Sequence, residues 1–110
     1  MILNDIKSDE SSVRAVLVGV DTSDMKEGEC DVSLDELERL ADTAGADVAA
    51  RLVQAREKPD VRTVIGSGKL AELRTVCEEC GAELCVFDCE MTPSQIRNVE
   101  DELGEVRVID

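Results

Sequence analysis

The run Ala15-Val16-Leu17-Val18-Gly19-Val20, closed by Asp21-Thr22, decides the fold of this chain. Such a run does not alternate between core and solvent. It reads as a strand covered on both faces, which is the condition of a parallel sheet. Downstream a three-beat pattern recurs: an amphipathic helix, a glycine, then a short run rich in β-branched residues. It stands at Ala44-Gly45-Ala46-Asp47-Val48, at Cys80-Gly81-Ala82-Glu83-Leu84 and at Leu103-Gly104-Glu105-Val106-Arg107. Each glycine sits where a left-handed residue closes a helix.

Between these beats the elements can be placed. Residues 23–32 carry polar and turn types and read as a loop. Ser33 with Glu36 three residues on forms a capping box that opens the first helix, with Leu34, Leu37, Leu40, Ala41 and Ala44 inward and a stop at Gly45. Residues 46–56 fit both a continued helix and an alternating strand, and the preceding glycine decides for strand. Lys58-Pro59-Asp60 breaks the chain, and a loop through Val64-Ile65-Gly66-Ser67-Gly68-Lys69 delivers a second helix with Leu70, Leu73, Val76, Cys77 and Cys80 on its apolar face. The third strand is Leu84 to Asp88. Thr92-Pro93-Ser94-Gln95 is a second capping box with proline at N1, opening a helix that buries Ile96, Val99 and Leu103. Val106 to Ile109 is the last strand.

The order βαβαβαβ specifies an α/β domain: a four-stranded, mainly parallel sheet with right-handed crossovers and helices on both faces. Strand order 2-1-3-4 puts the first helix on one face and the other two opposite. Residues 1–12 read as a flexible arm and residues 13–110 as the domain. Ligands of open α/β sheets bind at the carboxyl ends of the strands beside a switch point, here between the first and third strands. Asp21, Thr22, Asp88 and the glycine loop are expected to line that crevice.

Composition limits the chemistry. Among 110 residues, 26 acids face 12 bases, giving a net charge of −14, and there is no histidine. Imidazole bases and imidazole metal ligands are excluded, which leaves Ser, Thr and Cys nucleophiles without their usual activating base. Phe87 is the only aromatic residue, so base stacking on aromatic platforms is not available. A chain this acidic repels phosphate backbones on average, although its few cations can still cluster. The acid excess, with four lysines among the bases, also fits an interior of high salt. No apolar window reaches the roughly 18 residues of a membrane span, and the opening Met1-Ile2-Leu3-Asn4-Asp5 has no secretory pattern, so a cytoplasmic location is expected.

Four of the five cysteines, Cys77, Cys80, Cys85 and Cys89, fall close together and invite a zinc reading. Cys85 and Cys89 on one strand would stand about 13 Å apart, whereas ligands of one zinc lie within about 4 Å of each other. Packing in the core is the better reading. Gly66-Ser67-Gly68-Lys69 before a helix looks like an anion cradle, yet it lacks the GxxxxGK[ST] spacing: Thr63 stands five residues before Gly68, and Leu70 replaces the magnesium-binding hydroxyl. It is either a tight turn permitting close backbone packing or an anion or nucleotide contact. Asp21 and Asp88 are candidates for holding magnesium through water or for acting as a carboxylate pair, against chance juxtaposition in an acid-rich chain. The third helix exposes Ser94, Gln95, Arg97, Asn98 and Asp101, as a solvated face or as an interaction surface.

Four segments in register resemble a known family. They are Val64-Ile65-Gly66-Ser67-Gly68-Lys69-Leu70-Ala71-Glu72-Leu73, Val86-Phe87-Asp88, Thr92-Pro93-Ser94-Gln95-Ile96-Arg97-Asn98-Val99-Glu100 and Val106-Arg107-Val108-Ile109-Asp110. Together with Arg14 to Val20 and the helix from Ser33 to Gly45, they are similar to the N-terminal domain of the HflX family of ribosome-associated GTPases, over residues 13–110. Val64 departs from the tyrosine frequent in the family before the Ile-Gly pair. The resemblance implies a parent protein that binds GTP and magnesium in a separate GTPase domain and associates with the large ribosomal subunit. The P-loop and NKxD motifs of that domain do not occur in these 110 residues. This chain is then expected to carry no catalytic residue and no cofactor of its own, and to dock on the GTPase domain and the ribosome. The strand ending at Asp110 is an expected edge for self-association. The alternative is a stand-alone phosphate- or nucleotide-binding domain or enzyme using Gly66 to Lys69.

Overall fold

A computed structural model describes residues 12–110. The elements follow in the order β1 (Val13–Thr22), α1 (Glu29–Thr43), β2 (Ala46–Arg56), α2 (Ser67–Cys80), β3 (Leu84–Phe87), α3 (Pro93–Leu103) and β4 (Arg107–Ile109). The strands form one sheet in the order β2-β1-β3-β4, and every pair is parallel. That is the expected α/β architecture and strand order. The segment 1–11, which holds most of the expected arm, lies outside the described residues.

The sheet separates two apolar layers. On one side Ala15, Leu17, Leu84, Val86 and Ile109 meet Cys30, Leu34, Leu37 and Ala41 of α1. On the other, Val16, Val18, Val20, Leu52, Cys85, Phe87 and Val108 meet Leu70, Leu73 and Cys77 of α2 and Val99 and Leu103 of α3. Alternation along β1 therefore serves both layers, which explains its unbroken apolar run. The register between β1 and β2 slips at Ala15/Val16. Before the slip Ala46 and Val48 pack toward α1, and after it Ala50 and Leu52 pack toward α2. A bulge of this kind adds one residue and reverses the facing of the strand residues beyond it.

Two expectations about α1 are corrected. The helix starts at Glu29, four residues before Ser33, and its N-cap is Gly28 in the left-handed region (φ 82°) with no side-chain cap. Cys30, Leu34, Leu37 and Ala41 form one buried stripe, so the segment counted as loop contributes the first anchor of the helix. Leu40, expected inward, is 49% exposed because it falls on the flank of that stripe. The second capping box is present as expected, with Thr92 Oγ1 accepting from Gln95 N–H and Gln95 Oε1 accepting from Thr92 N–H. Gly45, Gly81 and Gly104 all take positive φ at the ends of the three helices.

The sheet edges are unequal. β4 is an edge of three residues, and β2, the opposite edge, has eleven.

Candidate functional site

The carboxyl ends of the strands carry two separate constellations. At the switch point, Asp88 follows β3 and turns toward α1. Its Oδ1 accepts from Val20 N–H at 3.3 Å, and its Oδ2 accepts from Cys30 Sγ at 3.8 Å. Burial pushes the Asp88 carboxyl up, while hydrogen bonds from Val20, Cys30 and Ser33 pull it partly back. Burial, followed by the charges of Asp88, Asp21 and Asp31, pushes the Cys30 thiol to about 11. Asp88 thus sits beside the Cys30 thiol, within the field of Asp21, and is engaged by donors of the fold itself. Thr22 donates to Asp24. Among the described residues no group of three or more metal-ligating side chains stands in position to hold an ion.

The glycine loop does not share that crevice. It lies on the α2 side, at the end of β2, where Gly66 N–H donates to Gln54 Oε1 at 2.8 Å. A Cβ on Gly66 would stand 2.8 Å from Arg56 Nη1, the mobile end of a long side chain, and the Gly66 backbone is extended (φ −69°), so neither space nor conformation strictly demands glycine there. Gly68 has open space around it. Ser67 and Gly68 are exposed, and Lys69 Nζ lies 3.1 Å from Glu72 Oε1. Gly66 is tied down by its bond to Gln54, whereas Ser67, Gly68 and the α2 N-terminus still face solvent.

The chain before this glycine forms a tightly built loop that sequence reasoning treated only as a break. Asp60 Oδ1 accepts from Arg62 N–H at 2.8 Å and from Thr63 N–H at 3.0 Å. These backbone donors, Thr63 first, hold the Asp60 carboxyl below its usual range. Asp60 and Val64 exchange two backbone hydrogen bonds of 2.8 and 2.9 Å. Val64 is buried with φ at 68°, a left-handed conformation that costs a β-branched residue roughly 1–2 kcal/mol. The turn is held in that state from outside. Gln95 Nε2 donates to the carbonyls of Asp60 and Val61 at 3.3 and 3.1 Å, and Asn98 Nδ2 donates to that of Arg62 at 3.0 Å.

This corrects the expected exposed face of α3. Ser94 and Arg97 face solvent and bond each other at 3.3 Å, but Gln95 and Asn98, one turn apart, are half-buried against the loop. The loop tip presents Val61, 89% exposed, beside exposed Arg62. Asp60 followed at the third position by Thr63 is the one local signal for the turn. Nothing in the sequence marks Val64 as left-handed.

The cysteines divide by depth. Cys77 and Cys85 are buried in the α2–α3 layer, and Cys80 and Cys89 pack against it. Burial pushes the Cys77 and Cys89 thiols to about 11 and raises that of Cys85 well above its ordinary value. They serve as small apolar side chains.

The family described as GTP-binding GTPase N-terminal matches residues 31–110. The chain is 36% identical over 97 residues to a GTPase HflX of Flavobacterium psychrophilum, covering 88% of this chain and 23% of that protein. It is 39% identical over 105 residues to one from Lacrimispora saccharolytica, covering 96% and 24%. With the GTPase HflX of Escherichia coli it shares 33% over 101 residues, covering 92% and 23%. The chain therefore spans about a quarter of the length of the curated relatives it matches. Among the described residues no helix is long and apolar enough to cross a membrane.

Proposed function

This chain belongs to the HflX family of GTPases as its N-terminal domain, and from that premise we propose that it is a docking module without catalysis of its own. In this reading it sits in the cytoplasm as part of a longer protein. GTP and magnesium bind in that protein's GTPase domain, and the present domain packs on that domain and on the large ribosomal subunit. The observation that carries the reading is the internal use of the groups that looked catalytic. Gly66 N–H is bound to Gln54, Lys69 is paired with Glu72, and Asp88 is engaged by Val20 and Cys30. Outward at this end of the sheet stand Ser67 and Gly68, the loop tip at Val61 and Arg62, and the exposed residues Ser94 and Arg97. The edge at Arg107–Ile109 is the place for self-association or for pairing with another segment.

Sedimentation with purified ribosomal subunits tests the reading. The 110-residue chain is expected to pellet with large subunits and not with small ones, and to take up no GTP at micromolar concentration by calorimetry. Failure to pellet with large subunits removes the docking role. A nucleotide-induced rise in melting temperature that Lys69→Ala abolishes would replace it with the phosphate-ligand reading of Gly66, Ser67, Gly68 and Lys69.

A further inference from the structure

The two edges of the sheet are open to different degrees. β4 offers three residues, whereas β2 offers eleven. Natural edges are blunted by shortness, by lysine or by proline. β2, which runs Ala46-Asp47-Val48-Ala49-Ala50-Arg51-Leu52-Val53-Gln54-Ala55-Arg56, contains neither residue type. Beyond the slip at Ala15/Val16, its residues Ala50–Arg56 pair in unbroken register with Val16–Thr22 on one side. Among the described residues no strand lies on the other side. Alternate backbone N–H and C=O groups of that stretch therefore point outward without a sheet partner.

The two faces flanking this edge differ in charge. Arg51 points to the α1 side, where Asp35 and Glu38 hold it at 2.8 and 3.3 Å. Alternation puts Val53 and Ala55, both exposed, on the same side. There a groove of about 630 Å³ runs between α1 and β2, with four acids, Asp35, Glu38, Asp42 and Asp47, against Arg39 and Arg51. Gln54 and Arg56 point the other way, toward Gly66, and Lys58 follows in the chain. The strand offers backbone pairing and the groove offers a net negative flank on one face. Neither observation depends on the other.

We propose that the outer edge of β2, over Ala50–Arg56, takes up an extended segment of another protein as an added strand, with Lys or Arg at alternate positions of that segment lying in the acid-lined groove beside α1. Side chains of an added strand alternate between the two faces. Those toward α1 meet carboxylates, which favours a base at every second position. Those toward Gln54 and Arg56 meet an amide and a cation, which favours small neutral residues between the bases. A second copy of this chain fits worse. Pairing β2 with β2 across a two-fold axis brings Asp35, Glu38 and Asp42 of both helices to one seam, between molecules that each carry a net charge of −14. A basic extended segment satisfies both the backbone and the charge.

The test uses the 110-residue chain and labelled peptides of about nine residues, the length of a long strand. One peptide alternates Lys and Val, another has the same composition with its lysines in one block, and another carries Glu in place of Lys. Two more repeat the alternating peptide with N-methyl groups on alternate amides, one set for each edge of the peptide strand. The alternating peptide is expected to bind at least about tenfold more tightly than the block and acidic peptides, because alternation presents every lysine to one face. N-methylation of the pairing edge abolishes binding, while the other set keeps it within about threefold. On binding, alternate amides of Ala50–Arg56 gain protection from hydrogen exchange. Glu38→Lys with Asp42→Lys weakens binding of the alternating peptide at least about tenfold, whereas Glu79→Lys with Asp101→Lys, the same change of net charge on α2 and α3, alters it less than about twofold. Glu38→Gln with Asp42→Asn gives a smaller loss in the same direction, and circular dichroism verifies the fold of each variant. No binding of the alternating peptide overturns the proposal, as do equal binding of the block peptide, indifference to both N-methyl sets, or equal effects of the two charge reversals. A concentration-dependent dimer in sedimentation that the alternating peptide dissociates also overturns it, since a second copy then occupies the edge.

Discussion

The two sides of the sheet treat charge in opposite ways. On the α1 side, Asp35, Glu38 and Asp42 of the helix and Asp47 of β2 line a groove of about 630 Å³ with Arg39, Val48 and Arg51. Arg51 is held there by Asp35 at 2.8 Å and Glu38 at 3.3 Å, and hydrogen bonding to Asp35 raises its already high pKa further. On the α2–α3 side Lys69 and Arg74 are paired with Glu72 and Glu78 of their own helix, Asp60 turns its carboxylate onto its own loop, and among the described residues Arg62 and Arg97 are exposed and in no ion pair. A net charge of −14 is therefore no description of any one surface.

The contrast extends to the core, and the largest expected effect lies there. Phe87 is fully buried in the layer under α2 and α3, whereas Leu34 is fully buried under α1. Phe87→Ala is expected to cost about 3–5 kcal/mol, and Leu34→Ala less within a range of about 2–5 kcal/mol, both read from urea unfolding. An equal or larger loss at Leu34 would show that the α1 layer bears as much of the fold as its counterpart. Gly19→Ala probes the same layer from the strand. A Cβ there would lie 2.8 Å from Leu34 Cδ1 and 2.9 Å from Cys30 Sγ, both in buried side chains. Overpacking of this kind costs about 1–3 kcal/mol. Unchanged stability would mean that α1 can move away from the sheet freely.

On the opposite side, Gln95 has two tasks that can be separated. Gln95→Glu keeps an acceptor for Thr92 N–H but turns a carboxylate oxygen toward the carbonyls of Asp60 and Val61. Loss of those two bonds is expected to cost about 1 kcal/mol. The amides of residues 60–66 should then exchange faster while α3 stays protected. Uniform exchange across α3 and the loop would show that the helix cap, and not the clamp, holds this surface together.

Particular residues show how far the sequence carried these two surfaces. The unbroken run at Ala15 to Val20, the glycines closing the helices and the Thr92–Gln95 box were sufficient for element order and strand order. Each of those signals acts within a few residues of chain. The start of α1 escaped because Gly28 caps it by conformation, without a side chain to recognise. The slip at Ala15/Val16 escaped because a bulge leaves no mark in a pattern that already alternates poorly. The candidate site was the least legible part. Gln95 and Asn98 find their partners 34 to 36 residues away, and Val64 takes a conformation that its side chain opposes. Long-range contacts override local preference there.

A smaller effect, with opposite signs on the two sides, comes from titration. Asp88, beside α1, has its folded-state pKa raised above 3.8 by burial, so the native state keeps a proton that the unfolded chain releases. Its contribution favours folding at low pH and declines as pH rises from 3.8 through the raised value. Asp60, in the loop, has its folded-state pKa lowered by hydrogen bonds from Thr63 and Arg62. Its contribution is present above 3.8 and is lost as pH falls through the lowered value. Asp88→Asn is expected to flatten the stability profile above pH 3.8, and Asp60→Asn to flatten it below. Chemical unfolding at a series of pH values reads both, and a change of the same sign in the two variants would contradict the assignment.

The smallest effect is read with salt, to which both sides contribute. Repulsion among the acids of α1, such as Asp35 and Glu38, and those of α2 and α3, such as Glu78, Glu79 and Asp101, opposes the compact state, and added ions weaken it. The Debye length falls from about 10 Å at 0.1 M to about 3 Å at 1 M, so most of the electrostatic gain in melting temperature is expected by roughly 0.5 M KCl. Any rise beyond that comes from salt strengthening apolar burial. A melting temperature that stays flat or falls would mean that local pairs such as Arg51 with Asp35 already balance the acids.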